Sequence, residues 1–542
     1  MDTGSVAPPQ WPSWKLRPDI AGLTQGLMVN GFGDLPTGRT LFLQFGGAEA
    51  AFAGGAWLRA LEAVASVTPA VPPDKSMPGA QAQATALAIT WAGLQRMGMP
   101  ETALASFARP FREGMFQEDR LRRLGDRRRG VWQDTVVEGG PLWSANTPMR
   151  APAPGSVGAY DVLPVTTEER VTTPLTVHAV VLLYTRDEAS ADELAARLEA
   201  ALRSEGVFVV RQLELLLDVE RAGISREHFG FADGLSQPVP FDEEDAVTLG
   251  SKPLTKRDSV LGVPLGEFLI GYRNGHHEKA PGPVVPGGLE GDRRPARAGL
   301  PPHPEAQGFH DFGLNGTYMV VRELRQDVAA FWQSMDENAA HIRERDPQHS
   351  AHVTPEWIAE RVVGRDRNGH LLCPAGRLKP DALGLPDSGF LFFEQDPHGV
   401  GCPPGSHVRR ANPRDALAPS GDQRESLLAA ANNHRILRRG RKFGPKIRHP
   451  RTDDGEDRGL LFMCLNTDIA RQFEFVQQTW LLNPDFATLS NEVDPLVGPD
   501  GRMTIREEPL RRTIHVKTFV QMAGGDYFFL PSLPALRYLA ML

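Results

Sequence analysis

Three short stretches carry residue types at spacings that suit acid–base or redox chemistry. In Gly230-Phe231-Ala232-Asp233-Gly234, two glycines flank one carboxylate. Glycine on either side lets the chain turn tightly and leaves little steric cover, so Asp233 is held in a fixed direction. The second stretch is Gly401-Cys402-Pro403-Pro404-Gly405-Ser406-His407-Val408-Arg409-Arg410-Ala411-Asn412-Pro413-Arg414. It puts one histidine at a loop-to-helix or loop-to-strand junction. A lone histidine is more often a hydrogen-bonded structural residue than a ligand, but Arg409, Arg410 and Arg414 close behind suit an anionic group. The third, His434-Arg435-Ile436-Leu437-Arg438-Arg439-Gly440, with Phe443-Gly444-Pro445 just after, sets Ile436 and Leu437 between arginines. That interleaving turns at least one guanidinium inward.

Positioning such groups takes a large fold, and 542 residues exceed the usual single-domain size. The hydrophobic share of 41% and charged share of 23% are those of an ordinary globular chain. A net charge of −8 gives no reason to expect nucleic acid as a partner. Cys373, Cys402 and Cys464 are too few and scattered for a disulfide framework, and none forms a C-x-x-C pair. The Pro-rich start reads as a loose arm over 1–15, without the basic and apolar blocks of an export signal. No apolar run approaches the ~18 residues a membrane helix needs, so a cytoplasmic protein is expected. Residues 41–45, 177–184, 207–217, 317–324, 460–466 and 526–530 read as strands. Residues 56–67, 85–97, 325–335 and 468–480 read as helices, with another after Pro534 and one capped at Ser190, Glu193 lying at its third position. Both halves thus repeat apolar strands with intervening helices, which predicts two related α+β domains. The expected division is 16–240, ending in the Asp233 turn; a Pro/Gly-rich surface insert over 241–310; and 311–542.

Taken together and in this order, the three stretches resemble the dye-decolorizing peroxidase family. Its signature is a G-x-x-D-G turn, a later histidine in an H-x-R-x-x-N-P-R run, and an arginine in an I-L-R segment. Gly271-Tyr272, Asn315-Gly316-Thr317-Tyr318 with Val321-Arg322, Gly364-Arg365, residues 468–475 and residues 525–531 are also similar to the family, so the likeness runs from about residue 19 to the end. It implies two ferredoxin-like domains, each an antiparallel sheet with helices, the C-terminal one holding haem. His407 would bind the iron; with no C-x-x-C-H site, the haem b would be held non-covalently. The acceptor for the other imidazole nitrogen would be Glu474 or Asp468. Arg414 and Arg409 would meet the haem propionates, Leu460 and Phe462 would wall the pocket, and Asp233 and Arg438 would act on hydrogen peroxide. Free aspartate titrates near about 3.9 and free histidine near about 6.5, so an aspartate base implies activity best at acidic pH. Organic reductants such as dyes or phenolics would then give up single electrons, bulky ones through a surface Tyr527 or Trp480. Two other classes stay open: a haem-handling or storage protein without turnover, and a non-haem ferredoxin-like binding module. The oligomeric state is left open.

Overall fold

The computed structural model describes residues 16–46, 52, 54–72, 82–145, 149–150, 161–162, 175–218, 225–242, 260–287, 292–373 and 388–542; the expected arm over 1–15 lies outside them. The long apolar runs become two antiparallel half-sheets. In the first, β1 (Thr37–Phe45), β2 (Gln83–Ile89), β3 (Ala179–Thr185) and β4 (Val207–Leu216) lie in the order β4-β1-β3-β2. The helices α1 (Ala56–Val64) and α2 (Glu188–Ser204) make its crossings. The second comprises β5 (Thr317–Gln326), β6 (Arg441–Phe443), β7 (Gly459–Asn466) and β8 (Val520–Leu530), in the order β6-β7-β5-β8. This is the ferredoxin-like strand order twice over. β4 meets β6 at Leu215 and Phe443, and β2 meets β8 at Ile89 and Phe529, so the two halves close into one barrel.

Closure explains the unbroken hydrophobicity of β3, which is buried on both faces. Val180, Leu182 and Tyr184 point into the barrel with Met319, Val321, Met463, Leu465 and Phe528. Ala179, Val181 and Leu183 pack outward with Trp57, Leu58, Leu194 and Leu198 of α1 and α2. Burial at about 25 cal/mol per Å² of apolar surface makes both layers stabilising. The same logic corrects the helix expected over 85–97. Its first part is β2, with Ala84, Ala86 and Ala88 in the barrel and Leu87 and Ile89 outside, and a helix begins only at Trp91. Apolar residues on two faces satisfy either period, and the sheet partners decide.

Two further expectations change. The cap of α2 is Asp187 rather than Ser190: its carboxylate accepts the Ser190 backbone N–H at 2.8 Å, so the helix starts three residues earlier. The described part of the insert is not wholly a surface excursion, although 276–279 and most of 301–308 are exposed. Val263, Leu265, Phe268 and Leu269 join the barrel-side core, and Ile270 and Val285 join the outer one. Residues without periodicity can still plug an open barrel end; 243–259 and 288–291 lie outside the described residues. The outer face of the second half-sheet is left for the site: Leu460 and Phe462 of β7, Arg322 and Leu324 of β5, and Met522 of β8 line a cavity.

Candidate active site

His407 opens a short helix, His407–Ala411, one residue after Ser406. Its Nδ1 donates to Oδ2 of Asp494 at 2.9 Å, which leaves Nε2 as the imidazole nitrogen for the cavity that His407 lines. Asp494 is fully buried, and its Oδ1 accepts the N–H groups of Leu496 and Val497 at 2.9 and 3.0 Å. Burial pushes the imidazole pKa down, but the Asp494 charge and hydrogen bond outweigh it and leave it raised; Arg438 opposes and Asp233 assists. Burial would lift the Asp494 carboxyl, yet the His407 pairing and the backbone N–H groups hold it below the usual range. Both directions describe an imidazole polarised toward the carboxylate. Arg410 joins the two elements. Its buried guanidinium donates to the carbonyls of Trp480, Leu481 and Asn483 and to that of Glu492, two residues before Asp494.

Asp233 and Arg438 line the same cavity. The turn bearing Asp233 is bonded at every step: Asp233 N donates to Ser225 O at 2.8 Å and Ala232 N to Arg367 O at 3.1 Å. The Glu227 carboxylate takes the N–H groups of Phe229 and Phe231, each at 2.8 Å. Gly230 and Gly234 have φ of +98° and +79°, a region closed to most other residues, which is why the flanking glycines are needed. Gly234 N donates to Oδ1 of Asp233 at 2.6 Å. Arg438 lies on a two-residue strand beside β7, its guanidinium 3.9 Å from Oδ1 of Asp233. The Gln237 side chain bridges the two elements, accepting from Arg438 N at 3.1 Å and donating to Arg438 O at 3.2 Å.

The cavity holds about 350 Å³ and has apolar walls, including Leu460, Phe462, Phe231, Val408, Phe473 and Leu481. Arg365, Arg414 and Arg435 also line it. The His407 imidazole, a large apolar wall and a cluster of buried guanidinium groups fit a flat iron-bearing macrocycle with acidic arms.

The structure thus brings together His407, Asp233, Arg438, Arg414, Leu460 and Phe462. It places others elsewhere. Arg409 does not face the cavity: its guanidinium is spent on the carbonyls of Asp396 and Cys402 and lies over the Phe392 ring, because residues 407–411 are helical and turn it to the opposite side. Glu474 and Asp468 are not the partners of His407. Glu474 pairs with Arg120 and accepts from the Tyr527 hydroxyl, and Asp468 accepts Arg471 N at 3.0 Å. Tyr527 and Trp480 are 1% and 5% exposed and present no surface for a bulky reductant. Asp494 was missed, since nothing in Asn491-Glu492-Val493-Asp494-Pro495 marks it 87 positions from the histidine it serves.

No family model matches the chain. Among curated proteins it is 29% identical over 392 residues to the multifunctional dye peroxidase DyP2 of Amycolatopsis sp., covering 67% of this chain and 71% of that protein. It is 25% identical over 404 residues to a dye-decolorizing peroxidase of Mycena epipterygia, covering 67% and 66% of the two chains. Among solved structures, the DyP-type peroxidase of Anabaena sp. superposes with a TM-score of 0.66 at 21% identity, covering 96% of this chain and 95% of that one. The decolorizing peroxidase of Auricularia auricula-judae gives 0.65 at 18%, covering 96% and 99%. At these identities the superpositions speak for the fold.

Proposed function

The chain belongs to the dye-decolorizing peroxidases and is a haem peroxidase, and from that premise we propose which of its residues do the work. Haem, when bound, supplies an iron that is oxidised by hydrogen peroxide and restored by organic reductants, one electron at a time. We infer that it is haem b held without covalent attachment, with His407 Nε2 as its ligand. Asp494 keeps Nδ1 protonated and turned away, so the ligating nitrogen is fixed in direction and made a stronger donor. Arg414 and the neighbouring guanidinium groups hold the acidic arms, and Leu460 and Phe462 exclude water.

Asp233 takes the proton from one oxygen of hydrogen peroxide and returns it to the other. Its Oδ1 is held by Gly234 N–H, and Oδ2 carries the proton. Arg438 stabilises the negative charge that grows on the departing oxygen. A carboxylate goes on accepting protons in mild acid, where an imidazole is filled, so activity is expected to be best below neutrality.

What carries this reading is that Asp233, Arg438 and His407 line one cavity. A protein that only stores haem needs the imidazole but neither of the other two, and a module without haem needs none. His407→Ala should therefore lose the ligated Soret spectrum after haem supply. Asp233→Asn and Arg438→Leu should keep that spectrum but slow the first reaction with peroxide by about 10²–10³-fold, measured by stopped flow. Undiminished rates in both distal variants would point to storage or another base.

A further inference from the structure

Arg438 stands on a strand of only two residues, Leu437–Arg438, and regular pairing with β7 lapses before β6 resumes it at Arg441. Across that gap the side chains alternate, as they do in extended backbone. Ile436, Arg438 and Gly440 line the cavity. Leu437, Arg439 and Arg441 turn the other way, Leu437 into the barrel-side core and the two arginines onto the loop over 26–35.

That loop meets them with its backbone. Arg439 donates from Nε to the Leu27 carbonyl at 2.7 Å and from Nη2 to the Met28 carbonyl at 2.8 Å. Arg441 donates to the carbonyls of Gly31, Phe32 and Leu35, at 2.8, 2.7 and 2.7 Å. The remaining arm of Arg439, Nη1, reaches back to the carbonyl of Arg438 itself at 3.2 Å. None of these acceptors is a carboxylate. Two cations, Arg441 buried and Arg439 half-buried, thus rest on peptide dipoles and, for Arg441, on the Tyr184 ring 4.4 Å away. Apolar side chains would fill such places at less cost, so stability alone does not account for guanidinium groups here.

The loop is itself firmly seated. Leu27, Met28, Phe32 and Leu35 are buried in the barrel-side core. Gly26 N donates to Thr68 O at 2.7 Å, and the Gln25 side chain donates to the carbonyls of Leu87 and Pro531 at 2.8 and 2.9 Å. Phe32 has φ of +55°, a left-handed conformation that is held at a cost in a residue other than glycine.

We propose that Arg439 is a positioning residue for the reaction with peroxide: it ties the Arg438 backbone to the loop over 26–35, which thereby belongs to the peroxide site from the far side of the strand. Gln237 sets Arg438 against the Asp233 turn, and Arg439 sets it against the barrel. The inference rests on the haem reading above.

The test uses ferric holoprotein and fluoride, a small anion that binds haem iron and accepts a hydrogen bond from a donor above it. Its affinity therefore reports where the Arg438 guanidinium stands. Arg439→Gln should keep the His407-ligated Soret band, weaken fluoride binding by about tenfold or more, and slow the first reaction with peroxide by a similar factor. Arg439→Lys retains a cation and should fall between. In an Arg438→Leu background neither change should move fluoride affinity by more than about twofold, because nothing is left to position. Fluoride affinity unchanged by Arg439→Gln would overturn the proposal. So would an equal loss in the Arg438→Leu background, since Arg439 would then act on the fold at large. Should Arg439→Gln fail to load haem, Arg439→Lys decides by the same two comparisons; if neither loads, Arg439 serves folding only and the proposal fails. A wild-type chain without a ligated spectrum, or with fluoride binding that Arg438→Leu leaves unaltered, would bring down the reading above and this inference with it.

Discussion

The His407–Asp494 pair depends on charge in a dry place. Asp494 is fully buried, and its two oxygens are committed to the imidazole and to two backbone N–H groups. An asparagine there could keep the hydrogen bond to Nδ1 through its carbonyl but would remove the charge that strengthens the donor. Asp494→Asn is accordingly expected to weaken haem binding by about 10–100-fold, the usual cost of a lost partner behind a metal-ligating histidine. Haemin titration reads this directly, and an affinity equal to wild type would mean that the carboxylate only fills space. Arg410 shows how a charged residue in a catalytic stretch can be structural. It was one of three arginines expected near an anion, yet it donates to four backbone carbonyls and fixes the approach of the Asp494 loop.

Between elements, the distance that matters is the one from the Asp233 turn to the strand carrying Arg438. These groups are 3.9 Å apart and partly exposed, with side chains 34% and 38% accessible, so their own attraction does little to hold them. Gln237 does the holding, since its amide pairs with both backbone groups of Arg438 as a neighbouring strand would. Gln237→Ala should leave haem loading unchanged and slow the peroxide reaction by about tenfold or more, because a displacement of about 1 Å at a reacting centre can cost far more than that. A rate within twofold of wild type would show that the turn is held adequately by Glu227 and the Ser225 carbonyl alone.

Over the whole molecule, the barrel joints tie stability to pH. His228, just before the Asp233 turn, bonds through Nε2 to the carbonyl of Phe443 at 2.9 Å, where β6 meets β4. Its pKa is pushed down to about 4, first by burial and then by Lys442 and Arg458. His178, whose Nδ1 accepts the Phe45 backbone N–H, is also pushed down to about 4, by burial and by Arg96. An imidazole whose folded pKa lies below its unfolded value stabilises fully above about pH 6.5, and the contribution drains away as pH falls toward the folded pKa. Each can contribute up to about 3 kcal/mol. Tm should therefore decline between pH 6.5 and 4, and His228→Gln should flatten part of that decline. A Tm constant from pH 7 to 4 would exclude the effect. Acid activity, if present, works against the fold that carries it.

The candidate site was legible in three local stretches: the G-x-x-D-G turn, the histidine before an arginine run and the I-L-R segment each combine a charged or titratable group with the local backbone that presents it. Six of the eight barrel strands were legible too, because hydrophobic runs long enough to be buried on both faces have few other places to go; Gln83–Ile89 and Arg441–Phe443 were not. The rest came from contacts between segments far apart in the chain. That Arg409 turns away from the cavity depends on helical phase after His407, and which acid backs the imidazole depends on a loop 87 residues away. Whether Gln83–Ile89 is strand or helix, and whether residues 260–287 cover or fill the barrel, depends on partners distant in sequence. A local pattern carries a residue's chemistry and period, whereas burial, direction and partner are settled by which distant surfaces close against it.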